Sequence, residues 1–358
     1  MATQKVPLRR QSLTVEVETS PAYEFLMSLC VFNDACEDSQ SETKYDVGKS
    51  WFDNVRAKAS PELVETIEQF SFHSHELWEH VFGMTYDCPP PRDVPTFLAY
   101  LENIDPLELR LYLLGYYVRE HRRVTPPEIM YAAAQGDSEA QKQFLKTSFP
   151  DDADWQKTLR WLLALDMLAT KHVLIEIARD WYEQVFREQE SFILPILARD
   201  VEAKRALKAT LSPEQLIEAC TGWEYVPEPG IKRVVLIPSY LNRPYNSDSQ
   251  YHDTRIFYYP AADESVAAGA SAPPVRLLRL AKALADERRL RILKKLSTGS
   301  YTLQELADDF GIAKTTMHHH LITLRTAGLV RMRLSDKRYS LRQEVVDSLG
   351  DLLSAYLK

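Results

Sequence analysis

Leu13, Val15 and Val17 alternate with Thr14, Glu16 and Glu18, a period of two that predicts a half-buried strand near the start of the chain. The alternation stops at Ser20-Pro21. A serine ahead of a proline at the first helical position reads as an N-cap, and residues 23–32 continue as a buried helix. From Pro61 to about Thr210 the apolar positions fall mostly at helical spacing, with helices opening near Pro61, Asp93, Asp105, Thr125, Asp151 and Ser212. The pattern changes over 231–260. Residues 233–238 and 254–260 are β-branched and aromatic runs, read as two strands joined by the polar, aromatic loop 240–252 and able to share one small sheet with the N-terminal strand. Residues 261–274 are small and end in Pro273-Pro274, as a linker would.

After the linker, 275–296 reads as one amphipathic helix with apolar positions at Leu277, Leu280, Ala281, Leu284, Leu290, Ile292, Leu293 and Leu296. A short helix with Leu303, Leu306, Ala307 and Phe310 on one face leads to a turn at Gly311 and then to a second helix. Met317, Leu321 and Leu324 share one side of that second helix; at about 100° per residue, Thr315, His319 and Ile322 lie on the opposite side. Residues 328–342 read as a two-stranded wing with its tip at Ser335-Asp336, and 344–357 as a closing amphipathic helix. The predicted fold is mainly α. A helical domain with a small β-sheet occupies 1–260, a linker 261–274, and a winged helix-turn-helix of α+β type 275–358.

Charge sharpens this division. Residues 273–358 carry 16 Lys and Arg against 9 Asp and Glu, net +7, while the preceding 272 carry 27 against 42, net −15. A polyanion senses the local excess of positive charge within a Debye length, so the C-terminal part suits nucleic acid and the acidic part is expected to be turned away from it. Four cysteines without Cys-x-x-Cys spacing read as free thiols in a reducing compartment. Neither a signal peptide nor a membrane-length apolar run is visible, and the expected location is the cytoplasm, with no membrane partner.

The run from Ala283 through Glu287-Arg-Arg-Leu-Arg-Ile-Leu293 to Leu296, the helix-turn-helix after it, and Leu324-Arg-Thr-Ala-Gly-Leu-Val330 together resemble the ArsR family of bacterial transcriptional regulators. The resemblance covers 275–357, about a quarter of the chain. It implies a homodimer in which the first and last helices of the module pack about a twofold axis, and a palindromic operator as the double-stranded DNA partner. It does not extend to metal sensing. The first helix of the motif has no cysteine and the terminal helix no histidine, so the metal sites of such repressors have no counterpart here.

In a helix-turn-helix the N-terminal part of the second helix enters the major groove, which makes Lys314, Thr315, Thr316, His318 and His319 the expected contacts to bases and phosphates. Arg331, Arg333, Lys337 and Arg338 in the wing suit backbone or minor-groove contact. The triple histidine 318–320 is not a metal motif, since adjacent helical positions diverge by about 100° whereas ligands converge from i and i+3 or i+4. His320, nearer the Met317 side, reads as structural.

The helical domain offers weaker candidates. His73, Glu76 and His80 share a stripe that would suit a divalent metal and hence a metal-dependent enzyme tethered to DNA; a polar helix face is the plainer reading. Tyr112, Tyr116, Tyr117, Trp155, Trp161, Trp181, Tyr182 and Phe186 read as core first and as the lining of a small-molecule effector pocket second. The loop 240–252 suits a ligand lid, an interface or a plain connection. No catalytic or cofactor motif is recognised, so the expectation is a non-enzyme without cofactor or metal. The N-terminal domain is expected to sense an effector, extend the dimer or act as a protein-interaction scaffold.

Overall fold

The computed structural model describes residues 13–37, 42–69, 75–118, 124–148, 153–266 and 275–357. The predicted first strand is present as β1 (Thr14–Val17), followed by helix α1 (Pro21–Glu37). The Ser20 hydroxyl is not spent on the helix: it donates to the carbonyls of Pro91 and Arg92, pinning the start of α1 to a distant turn. Ten α-helices follow among the described residues: α2 (Gly48–Lys58), α3 (Pro61–Gln69), α4 (His75–Asp87), α5 (Val94–Asn103), α6 (Pro106–Leu113), α7 (Pro127–Ala134), α8 (Ser138–Ser148), α9 (Ala153–Ala164), α10 (Met167–Trp181) and α11 (Glu190–Leu207), with a π-helical turn, Tyr182–Phe186, continuing α10. Several of the anticipated starts are caps in fact. The Asp93 carboxylate accepts from the Thr96 amide at 2.8 Å and that of Asp105 from the Leu107 amide at 2.8 Å, each with a proline in the first turn that has no amide to satisfy. At Thr125 the helix begins later, at Pro127, and the threonine hydroxyl bonds instead to those of Thr147 and Ser148. The start predicted at Asp151 lies outside the described residues.

Helix α12 (Pro213–Thr221) opens with a complete Ser212/Gln215 capping box and ends at Gly222, whose φ of 68° relieves the turn into β2 (Trp223–Glu224). The chain then forms β3 (Arg233–Ser239), β4 (Ser247–Tyr251) and β5 (Thr254–Pro260), ordered β1-β3-β5-β4 in one sheet. β1, β3 and β5 are parallel and β4 is antiparallel to β5. The loop 240–252 is therefore partly strand. Its side chains do not alternate apolar and polar, because Ser247 to Tyr251 is an edge strand of polar residues packed beneath α4.

Both faces of the sheet are covered, which explains the unbroken apolar run in β3. Val235, Ile237, Ile256 and Tyr258 enter the core of the helical body, whereas Val15, Val17, Val234, Leu236, Phe257 and Tyr259 enter a second core shared with α12 and the C-terminal module. The aromatic residues Tyr112, Trp155, Trp181, Tyr182 and Phe186 are buried in the first core, with Tyr116, Tyr117 and Trp161 packed against it. They pack as core, the first of the two readings.

Residues 261–274 are not all connector. α13 (Asp263–Val266) follows the sheet directly, and the buried Asp200 carboxylate accepts from the Tyr259 hydroxyl (2.8 Å), the Ala262 amide (2.6 Å) and the Ser265 hydroxyl (3.1 Å) to hold it there. The remainder, 267–274, lies outside the described residues.

The predicted helix 275–296 is two helices, α14 (Val275–Leu284) and α15 (Glu287–Leu296). The leucine spacing runs across the break, but Asp286 accepts from the Arg289 amide at 2.9 Å and starts a new helix. β6 (Tyr301–Thr302), α16 (Leu303–Phe310), α17 (Lys314–Thr326), β7 (Val330–Arg333) and β8 (Arg338–Leu341) complete the winged helix-turn-helix. The predicted closing helix is also broken, at Ser348, into α18 (Gln343–Asp347) and α19 (Leu349–Leu357). No helix among the described residues is long and apolar enough to cross a membrane.

One buried carboxylate ties α1 to the loop after β3. Glu24, 1% exposed, accepts from the amides of Tyr240 (2.9 Å) and Leu241 (2.7 Å), and burial pushes its pKa up to about 7 against the pull of those bonds. The folded chain therefore holds this proton more tightly than the unfolded chain. Its contribution to stability is complete below about pH 4.5 and declines by up to about 3 kcal/mol as pH rises to about 7. Glu24→Gln keeps an acceptor for both amides, and urea unfolding between about pH 5 and about pH 8 is expected to lose that part of its pH dependence in this variant.

Candidate nucleic-acid interface

α16 is built by local chemistry. Thr302 and Glu305 form a reciprocal capping box, and Gly311, with a φ of 61°, closes the helix in the left-handed region before the turn into α17. In α17, Met317, Leu321 and Leu324 are buried in the module's core. The other side of the helix is fixed by exclusion. Lys314, Thr315, His318 and His319 are exposed, and Thr316 is half-buried. His320 is half-buried as well, with its Nε2 enclosed and without a hydrogen-bond partner.

The wing cations are mostly engaged. Arg331 donates to Glu218 at 2.8 Å, Arg333 pairs with Glu224 at 3.1 Å and with Asp336 at 3.3 Å, and Arg338 makes a two-pronged contact with Glu305 at 3.1 Å for each prong. The Thr302 amide, and then Arg338, hold the Glu305 carboxyl below the usual range, so the capping carboxylate stays ionised. Lys337 at the tip is exposed and has no carboxylate partner among the described residues, and the same holds for Lys314.

Glu218 and Glu224 belong to α12 and β2, outside the predicted module. β2 lies parallel to β7, with Trp223 opposite Met332 and Glu224 opposite Arg333, so the wing sheet runs β2-β7-β8-β6 and one of its strands is borrowed. On α14, Arg279 pairs with Asp46 and, at 3.3 Å, with Asp263. The acidic part of the chain is thus not turned away from the basic module. Its carboxylates grip three of that module's arginines.

The exposed side of α17 faces this contact. His318, His319, Ile322 and Arg325, together with Lys337 of the wing, line a cavity of about 470 Å³ whose opposite wall includes Asp34 of α1, Tyr245 and Asn246 of the loop after β3, and Asp248 of β4. Partial desolvation by the cavity walls, and then Arg325 and His319, hold the His318 imidazole below its usual pKa. Arg325 stacks on the Trp223 indole, 5.8 Å from its centroid. The sequence signal for Arg325 was available: His318, Ile322 and Arg325 are spaced i, i+4, i+7 on one stripe. Nothing local announced Glu218, Glu224 or Trp223, which arrive from more than a hundred residues upstream.

Of the candidate metal stripe, His73 and the side chain of Glu76 lie outside the described residues. His80 is buried in the helical core, its Nδ1 3.0 Å from the Leu113 carbonyl and its ring against Trp155. Among the described residues no group of three or more His, Cys, Asp or Glu side chains is arranged to hold a metal ion.

No curated protein and no solved structure matches the chain. Residues 286–332, from the cap of α15 to β7, match the family model described as "Bacterial regulatory protein, arsR family". The C-terminal segment is therefore an ArsR-family helix-turn-helix domain, the DNA-binding part of a transcriptional regulator, with a large N-terminal region outside the match.

Proposed function

We propose that this protein is a cytoplasmic, homodimeric transcriptional repressor that binds operator DNA through α17 and the wing and is modulated through its N-terminal domain, acting by binding and not by catalysis. The observation that carries the reading is the division of α17 into a buried Met317/Leu321/Leu324 side and an exposed side bearing Lys314, Thr315, His318 and His319. Threonine and histidine at the start of the helix are positioned to read base edges, and Lys314 and Lys337 to neutralise phosphates. Support for self-association comes from α14 and α19. Leu278, Leu353, Tyr356 and Leu357 are 54%, 48%, 41% and 72% exposed, a concentration of apolar side chains on the two helices that the family resemblance assigns to the dimer.

The mechanism is two-state. In the closed form the wing arginines are held by Glu218 and Glu224; in the DNA-bound form phosphates replace those carboxylates, and effectors act by binding the two forms unequally.

Gel-shift assays on duplexes from the chain's own upstream region test the assignment. Thr315→Ala or His319→Ala is expected to cost about 1–3 kcal/mol on the preferred sequence and little on random DNA, whereas Lys337→Ala weakens both and lowers the salt slope by about 1. Equal losses on all sequences for all three changes contradict the division between base readers and phosphate contacts. A combined Glu218→Gln/Glu224→Gln variant is expected to bind duplex about tenfold more tightly, a shift of about 1.4 kcal/mol, because Arg331 and Arg333 are released from the N-terminal domain's carboxylates. For the dimer, Leu353→Glu with Leu357→Glu is expected to give monomers by light scattering while far-ultraviolet dichroism is unchanged; a variant that stays dimeric refutes the assigned interface.

A further inference from the structure

We infer that the cavity between α17 and the N-terminal domain is the site of a small amphiphilic anion, a carboxylate carried on a compact aromatic body, and that this ligand clamps the reading helix against the acidic domain. The regulatory half of the inference rests on the DNA-binding reading above; the binding half does not.

Charge is the first reason. Arg325 is half-buried, and among the described residues it has neither an ion-pair nor a side-chain hydrogen-bond partner. Removing a cation from water without a counter-charge is costly, and burial lowers the pKa of this guanidinium, the expected response of a charge that lacks a partner. Lys337, in the same wall, also lacks a carboxylate. The acids that share the cavity are already engaged: Asp34 accepts from the Tyr45 hydroxyl at 2.9 Å, and Asp248 pairs with Arg255 at 3.0 Å.

A neutral donor points the same way. The Tyr245 hydroxyl, on the wall opposite α17, has no hydrogen-bond partner among the described residues. A hydroxyl donor across the cavity from an unpaired guanidinium describes a site able to hold an acceptor between them. A bare ion does not account for the rest. Ile322, Met332 and Leu334 supply apolar wall, Tyr245 and Trp223 supply aromatic faces, and about 470 Å³ falls within the range of pockets that enclose small organic molecules.

The consequence for DNA follows from size. Duplex DNA, wider than its own roughly 12 Å major groove, is far too broad for a cavity of about 470 Å³, so it enters only when the two walls separate. A ligand touching Arg325 on one wall and Tyr245 on the other binds the closed form alone and opposes that separation.

Calorimetric titration of the full chain with 1-naphthoate and with its neutral counterpart 1-naphthamide tests the binding half. Saturable binding of one naphthoate per chain is expected, at least about tenfold tighter than the amide and about tenfold weaker in Arg325→Met and in Tyr245→Phe, with Lys142→Met as the remote control. Tyr245→Phe removes a single hydroxyl and serves as the discriminating variant if Arg325→Met does not fold. Absence of saturable binding, equal affinity for the amide, or unchanged affinity in the folded variants overturns the inference. A parallel gel shift separates the two readings. If naphthoate releases duplex from the parent chain but not from Tyr245→Phe, the clamp is supported; if naphthoate binds and duplex is retained, the clamp is refuted; if no duplex is bound at all, the DNA reading fails while the titration still decides the site.

Discussion

The parallel pairing of β2 with β7 is the constraint on which the arrangement of the two modules depends. Two residues of the N-terminal domain extend the wing sheet, with the Leu334 amide donating to the Glu224 carbonyl at 3.2 Å. That pairing places Trp223 between Phe257 of the central sheet, with ring centroids 5.6 Å apart, and Arg325 of the reading helix. A single indole thus connects the core of one module to the functional face of the other. It also sets the register that brings Glu224 to Arg333 and Glu218, near the end of α12, to Arg331.

The strength of this contact is modest by construction. The Arg331 and Arg333 pairs are each partly exposed, and such pairs contribute about 0.2–1 kcal/mol in water. A two-residue strand adds few ladder bonds. The apolar part, Trp223 against Phe257 and the shared second core, is the larger contribution, but much of that core belongs to one module or the other and survives if they separate. An interface of this modest strength fits the proposed two-state mechanism, in which a ligand or a polyanion shifts it.

What was legible in the chain was local. Asp93, Asp105, Ser212 and Thr302 announce helix starts because a cap and its amides lie within three residues of each other. The alternating β1 and the apolar β3 and β5 are equally self-declaring, as is the helix-turn-helix, with its left-handed Gly311 and its one-sided α17. The misreadings share a cause. Helical periodicity carries through the breaks at 285–286 and Ser348 because leucines continue at the right spacing on both sides, and only the Asp286 cap marks the first break. β4 escaped because an edge strand beneath a helix needs no apolar alternation. The β2–β7 pairing was beyond reach: it depends on two residues meeting two others more than a hundred positions away, and strand signals need four or more residues to rise above the background. For the same reason the carboxylates that hold Arg331 and Arg333 lie beyond what the sequence announces, although the one-sided burial of α17 is plain in it.

Those partners change the meaning of the charge asymmetry. An acidic domain of net −15 beside a basic one of net +7 first suggests separation, the acids being kept from the phosphates. The geometry instead pairs Asp46 and Asp263 with Arg279, Glu218 with Arg331 and Glu224 with Arg333, and the last two arginines are among the proposed phosphate contacts. The internal acids have the advantage of being tethered and so act at high effective concentration; the duplex has the advantage of many charges and of the counterions it releases. Salt weakens the exposed internal pairs and the duplex contacts together, but the duplex, with more charges engaged, loses more per step in ionic strength. Under the proposed two-state mechanism the closed form is accordingly favoured as salt rises, and the acidic domain would act as a tethered competitor of the duplex.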